Sequence, residues 1–281
     1  MISSKFSMQP RRAFLKNVIR YLLLILFCYL ILFPLVLIIS SSFKTEKEIF
    51  SYPISLIPEN ATLKNFRALM ENFPRYIFNS FKITISITAL QVLTATTAGY
   101  ALAKLKWPGR GFIFLLYVSS IMIPFQVYII PQFIIIRSLN LYDTHLALIL
   151  VSSFTAFGTF LVRQFFMTIP DSYIEAAKIN GAHHFYIYSK IVLPLSKPVI
   201  ATLTILSFRY WWNDLFTALI YIISKERKTL PLGLADFVSE YDVYYGPQMA
   251  ASLIAIVPVV VLFILAQKYI VQGVVGSGIK G

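Results

Sequence analysis

Residues 172–194 read SYIEAAKINGAHHFYIYSKIVLP, a polar, charged stretch set between long apolar runs. Pro170 and Asp171 halt the helix before it. Ser172 and Glu175 have the spacing of a capping box, in which each side chain satisfies an orphan backbone donor of the other, and a helix is predicted to start there. Ala176, Ala177, Lys178 and Ile179 carry it on, and Lys178 suits the negative end of the helix dipole. Asn180 followed by Gly181 is a strong C-terminal stop, so the helix is about nine residues long. An aromatic turn from Phe185 to Tyr188 comes next, and Pro194 and Pro198 mark the entrance to the following apolar run. The segment reads as helix, glycine elbow, helix, a shape made to be gripped.

The composition around it belongs to a membrane. Of 281 residues, 58% are hydrophobic and 13% charged, and the mean hydropathy is +0.73, which leaves too little polar surface for an ordinary soluble domain. Apolar blocks lie near 19–42, 77–103, 112–136, 145–167, 199–223 and 248–270, each at or above the twenty or so residues that cross ~30 Å of hydrocarbon. No internal repeat or low-complexity linker divides the chain, so one all-α membrane domain over residues 1–281 is expected, with a loop at 168–198 and a tail at 271–281. Pro34, Pro124, Pro131 and Pro258 fall in or near spans and predict kinks.

Six crossings put both termini on one side. Lys5, Arg11, Arg12, Lys16 and Arg20 fall in the first twenty residues with no acid among them, so the amino terminus and the 168–198 loop are expected to face the cytoplasm. The formal net charge of +13 follows from basic residues at cytoplasmic membrane edges beside anionic lipid and does not imply nucleic acid. A signal peptide ending near Ser40–Ser42 is disfavoured because the apolar run before it is too long for one. Cys28 stands alone, so neither a disulfide nor a cysteine metal site is expected.

Chemistry within the chain is sparse. There is no G-x-x-x-x-G-K-[ST] phosphate loop. His183 and His184 are adjacent, diverge by roughly 100° on a helix and share no face, and the remaining histidine, His145, lies at the outer end of the fourth span; a metal site is not expected. The fifth span holds SFRYWWNDLF, residues 207–216, with Arg209, Asn213 and Asp214 deep in an apolar run. Ionisable groups there are costly unless they meet a polar cavity or a partner, so a solute path and a structural contact are both open. Trp211 and Trp212 are suited either to stacking on a sugar ring or to packing on helices. On the outer side, Leu63, Phe66, Met70 and Phe73 recur at helical spacing and suggest an amphipathic helix on the surface. The loop 225–247 carries Asp236, Glu240, Asp242 and tyrosines 241, 244 and 245, a polar aromatic surface fit for a partner or carbohydrate.

Glu175, Ala176 and Ala177, then Gly181 after three residues, then Ile191, Leu193 and Pro194 after nine more, form a pattern that resembles the EAA loop of binding-protein-dependent ABC transporter permeases. Asn180 departs from it, since many sugar permeases carry Asp before the glycine. ALAKLKWPGRG at 101–111, MIPFQVYIIPQF, LNLYDTHLALIL, the WND run at 212–214 and the tail VQGVVGSGIKG extend the likeness over nearly the whole chain, to the maltose-transporter-type (carbohydrate uptake) family and its subunit with a glycine-rich tail.

The resemblance implies a type I ABC importer permease in a bacterial or archaeal plasma membrane, with six transmembrane helices and no catalysis or bound cofactor of its own. It implies a homologous second permease, two ATPase subunits that hold ATP and Mg, an extracellular or periplasmic solute-binding protein, and surrounding membrane lipid. Glu175, Ala176, Ala177, Gly181, Ala182 and His183 would couple to the ATPase, with Gly276, Ser277, Gly278 and Lys280 as a second contact. An amphipathic helix on the membrane surface is the rival for the loop, and ordinary terminal disorder for the tail. Arg209, Trp212, Asn213 and Asp214 would line the path of a sugar, and Asp236, Glu240, Tyr241, Asp242 and Tyr244 would meet the binding protein. The alternatives are the same architecture for another solute such as glycerol phosphate, or an ion-coupled carrier using Asp214, the one deep acid.

Overall fold

The computed structural model describes residues 9–237 and 244–278, and every regular element among them is helical. The chain divides into two compact units, Met1–Met70 with Phe237–Ile254 and Glu71–Asp236 with Ala255–Gly281.

The first unit is built on α1 (Gln9–Ser42), the short α2 (Glu46–Ile49) and α3 (Lys64–Leu69). No part of the apolar window of α1 is buried within the chain, as expected of a helix whose solvent is lipid. Where α1 ends, the buried Asn65 amide donates to the carbonyls of Ser42 (3.0 Å) and Lys44 (2.8 Å), taking the helix-end acceptors that have no partner of their own. Phe43 and Phe66 pack with ring centres 5.1 Å apart. The packed side of α3 is therefore Asn65 and Leu69, while Leu63 and Met70 are exposed and Phe73 already belongs to the next helix. That corrects the expected stripe: the carbonyls left over at the end of α1 select an amide for burial, and hydrophobic spacing alone cannot show this.

The second unit is organised by α4 (Phe73–Lys104), around which come α5 (Arg110–Ser119), α6 (Phe125–Ser138), α7 (His145–Val151), α8 (Ala156–Thr168), α9 (Asp171–Ile179), α10 (His184–Leu195), α11 (Lys197–Trp212), α12 (Phe216–Tyr221) and α13 (Leu230–Ala235). The last helix, α14 (Tyr245–Gly278), is shared between the units. Among the described residues three helices, Phe14–Ser42, Phe73–Lys104 and Tyr245–Leu265, are long and apolar enough to cross a membrane unbroken. Three bent pairs, α5–α6 (100°), α7–α8 (45°) and α10–α11 (79°), bring the number of crossings to as many as six. The run expected as one span over 199–223 is interrupted between Trp212 and Phe216.

Broken helices at membrane depth leave backbone groups that lipid cannot satisfy. Polar side chains buried along α4 supply the bonds. Gln91 donates to the carbonyl of Ser152 (2.7 Å) and Thr94 to that of Ser153 (3.1 Å), both in the gap between α7 and α8. Asn79 donates to the carbonyls of Glu226 and Lys228, 2.9 Å each, and Ser80 accepts the N–H of Leu230 at 2.7 Å. At Gly99 a Cβ would stand 3.1 Å from Val162 Cγ1 and 3.3 Å from Arg163 N, so α4 and α8 approach almost backbone to backbone.

Candidate functional site

The loop after α8 begins with an ion pair between distant residues. Lys104 Nζ, at the end of α4, lies 2.6 Å from Asp171 Oδ1 and donates to the Ile169 carbonyl at 2.6 Å; the lysine side chain is 5% exposed and the aspartate 68%. α9 starts at Asp171 with Pro170 at its N-cap and no side-chain bond at the cap, so the expected capping box between Ser172 and Glu175 does not form. Asp171 is thus the first helical residue rather than a stop. A proline immediately before the helix and a carboxylate in its first turn suit that end. The hydrogen bond from Lys104, and its charge, hold the Asp171 carboxyl below its ordinary value, against a smaller upward effect of burial and with Lys106 and Arg110 helping.

The other end closes as the sequence predicts. Gly181 has φ +77°, Ala182 N–H donates to the Ala177 carbonyl at 3.0 Å and Gly181 N–H to that of Lys178 at 2.9 Å, which together form a Schellman motif. Asn180 also caps the Ala176 carbonyl through its side chain, 2.8 Å away. Ile174, Ala177 and Ala182 turn into a core of Tyr100, Phe166, Ile187 and Val192. The opposite side shows Tyr173, Glu175, Ala176 and Ile179 to the surroundings, with Ile179 86% exposed. Glu175 forms no hydrogen bond or ion pair among the described residues.

Beyond the elbow, His183 is extended and exposed, and His184 Nδ1 is 3.3 Å from Tyr100 OH. Tyr188 OH meets Thr96 Oγ1 at 2.8 Å, inside a π-helical stretch over Ile187–Val192. Both halves of the elbow are therefore tied to α4. Among the described residues no cluster of His, Cys, Asp or Glu could hold a metal.

A second feature is a cavity of about 630 Å³ lined by Gln91, Tyr128, Gln132, Ser152, Thr155, Phe157, Ser207, Arg209, Tyr210, Trp211 and Thr217, among others. Of the solute-path residues expected from sequence, Arg209 lines it; Trp212, Asn213 and Asp214 do not. Trp212 is 1% exposed, stacked on Phe208 (5.7 Å, 8°), with its indole N–H on the Ala255 carbonyl at 3.0 Å. Asn213 caps the end of α11 by donating to the Arg209 carbonyl (2.7 Å), and Asp214 accepts the N–H of Thr217 at 3.5 Å. The WND run is the break between α11 and α12: an anchor followed by two caps.

The family model described as Binding-protein-dependent transport system inner membrane component matches residues 91–276. The chain belongs to this family. It is an ABC transporter permease subunit. The permease is 35% identical over 258 residues to the arabinooligosaccharides transport system permease protein of Halalkalibacterium halodurans, covering 90% of this chain and 92% of the relative. It is 32% identical over 271 residues to the sn-glycerol-3-phosphate transport system permease protein of Escherichia coli (strain UTI89 / UPEC), covering 93% and 96%. Its fold is that of a type I ABC importer permease: it resembles a chain of a bacterial ABC transporter involved in the import of the acidic polysaccharide alginate, with a TM-score of 0.83 and 24% identity over 94% of this chain and 99% of that one.

On the side of the permease expected to face outward, Asp143 gathers the N–H groups of Ile223 (2.9 Å) and Ser224 (3.0 Å), the Ser224 hydroxyl and the Arg227 guanidinium. Asp236 pairs with Lys228 at 2.6 Å. Tyr244 is exposed, while Glu240, Tyr241 and Asp242 lie outside the described residues. Gly276, Ser277 and Gly278 form the last turn of α14, and Lys280 lies outside the described residues. Sequence reasoning missed Lys104, Gln91, Asn79 and Asp143. Polar residues inside an apolar span, such as Gln91, were the available signal.

Proposed function

We propose that this permease imports a sugar, an oligosaccharide in the first instance, as half of a translocation path completed by a homologous permease. Two ATPase subunits carrying ATP and Mg drive it from the cytoplasm, and an extracellular or periplasmic binding protein delivers the solute. The termini and the 168–198 loop face the cytoplasm. One observation carries the coupling role: α9 is capped at a Schellman elbow and seated by Ile174, Ala177 and Ala182, yet holds Tyr173, Glu175 and Ile179 outward without side-chain partners among the described residues. Tyr173, Ala176 and Ile179 exposed side by side on a well-anchored helix outside the apolar runs make a face fit for docking.

The sugar assignment is supported by the arabinooligosaccharide relative and by the cavity's mix of amides, hydroxyls and the aromatic rings of Tyr128, Tyr210 and Trp211, which suit sugar hydroxyls and ring faces. Glycerol phosphate is the second reading, supported by the Escherichia coli relative and by a cationic Arg209 in the cavity wall. The test is reconstitution of the complete transporter with Glu175→Lys or Ile179→Asp. Both are expected to assemble in the membrane, lose uptake and lose contact with the ATPase; wild-type uptake by either would reject the docking face.

A further inference from the structure

We infer that the surface where α4 ends and α5 begins holds an anionic glycerophospholipid, with Lys106, Arg110 and Arg163 on its phosphate and its acyl chains along α5. This stands apart from the solute reading and from the docking face of α9. The cations converge on one turn of α4. Arg163, from α8, donates through Nε to the Leu102 carbonyl at 3.2 Å, and Arg110, at the start of α5, donates through a terminal nitrogen to the Leu105 carbonyl at 2.9 Å. Both carbonyls belong to the C-terminal turn of α4, where helix acceptors lack partners of their own. Each bond uses one donor and fixes its guanidinium, and the remaining N–H groups make no hydrogen bond among the described residues. Arg163 is held further by the ring of Phe114, whose centre is 3.8 Å from the guanidinium carbon. Lys106, in the link between the helices, is exposed and makes no hydrogen bond or ion pair among the described residues.

This positive charge has no counterpart beside it. α4, α5 and α8 contain no Asp or Glu. Asp171 is already paired with Lys104 at 2.6 Å, and Lys106 and Arg110 act on it only at longer range. Arg110 and Arg163 also repel each other. Two arginines pinned to one turn, with a lysine beside them, are stabilised by an anion that takes their free donors.

The surroundings decide which anion. The α4 span ends at Lys104 and the broken α5–α6 span begins at Arg110, so the cations stand at the membrane surface. Along α5, Phe112, Ile113, Leu115 and Leu116 are 49–65% exposed. Trp107 is exposed as well, its indole N–H on the Ala101 carbonyl at 3.2 Å, as suits a ring at the interface. A free phosphate has no use for that apolar wall, and an acidic protein surface would meet the cations but leave α5 uncovered. A lipid with an anionic headgroup and hydrocarbon chains answers both.

The experiment purifies the complete transporter in mild detergent and counts retained lipid by native mass spectrometry, with phosphatidylglycerol and phosphatidylcholine of matched chains as probes. Wild type is expected to retain phosphatidylglycerol in preference. Lys106→Gln should lower that preference about fivefold and Lys106→Gln with Arg110→Gln by more, while Lys190→Gln, at an exposed cation of α10, leaves it unchanged. Lys106 has no partner to lose, so its variant reads binding rather than folding. Equal retention of the two lipids, or a preference untouched by both variants, overturns the inference. Displacement of the lipid by inorganic phosphate overturns it in favour of a soluble anion. Loss of the ATPase subunits from the variants, with lipid retention unchanged, makes the patch a protein contact and overturns it likewise.

Discussion

Lys104 and Asp171, sixty-seven residues apart, meet at 2.6 Å, so the end of α4 holds the first residue of α9. Lys104→Met keeps the stem and removes the charge. Amide exchange at residues 171–175 should rise several-fold, with a global loss of no more than about 1 kcal/mol because the aspartate is mostly exposed. The pH dependence has a definite sign. The folded Asp171 carboxyl titrates below its ordinary value of 3.8, so its contribution is present above that value and is lost as the pH falls through the lower folded value. Exchange in wild type and Asp171→Asn should differ at neutral pH and converge in acid; a difference that grew in acid would reject the pair.

Gly181 sits at φ +77°, and a Cβ there would meet nothing within 4 Å. The penalty for Gly181→Ala is thus purely a backbone one, about 1–2 kcal/mol, and Gly181→Asn should cost less because Asn tolerates the left-handed conformation. Thermal unfolding of the purified permease checks this. Identical losses for the two variants would place the cause elsewhere.

Gln91 donates to the Ser152 carbonyl and accepts from the Ser207 hydroxyl, each at 2.7 Å. Gln91→Leu orphans both and should cost about 1–3 kcal/mol, read as a lower Tm in detergent or bicelles. An unchanged Tm would mean that water or a rearranged α8 start fills the gap.

Trp212→Ala should cost about 3–5 kcal/mol, since the ring is almost wholly enclosed by Phe81, Phe208 and the Ala255 carbonyl. Trp212→Phe should keep the solute preference of the transporter. A shift of preference without loss of stability would return this ring to the solute path.

These variants also mark what the sequence could disclose. The length of α9 and its stop at Gly181 were legible because the determinants are neighbours in the chain: four helix formers, then Asn180 and Gly181. Its start was not, because Asp171 is engaged by a lysine from another helix, and no local pattern announces that. Apolar runs revealed where the membrane is crossed but not where the crossings break, since the gaps at Ser152–Thr155 and Asn213–Leu215 persist only with acceptors and donors supplied by Gln91, Thr94, Asn213 and Asp214. Arg209 was recognisable by its cost in lipid, whereas Trp212 looked equally fit for solute or packing until its surroundings were known.

The row of amides and hydroxyls along α4 has an evolutionary consequence. Most of its partners are main-chain carbonyls at Ser152, Ser153, Glu226 and Lys228, which no point mutation can remove. Only the α4 side of each contract is open to revision. A single inserted residue between 79 and 94 would turn everything beyond it by about 100° and unseat several contacts at once. That interval should tolerate substitution poorly and length change not at all, and it acts as the ruler against which the interrupted spans of this transporter are indexed.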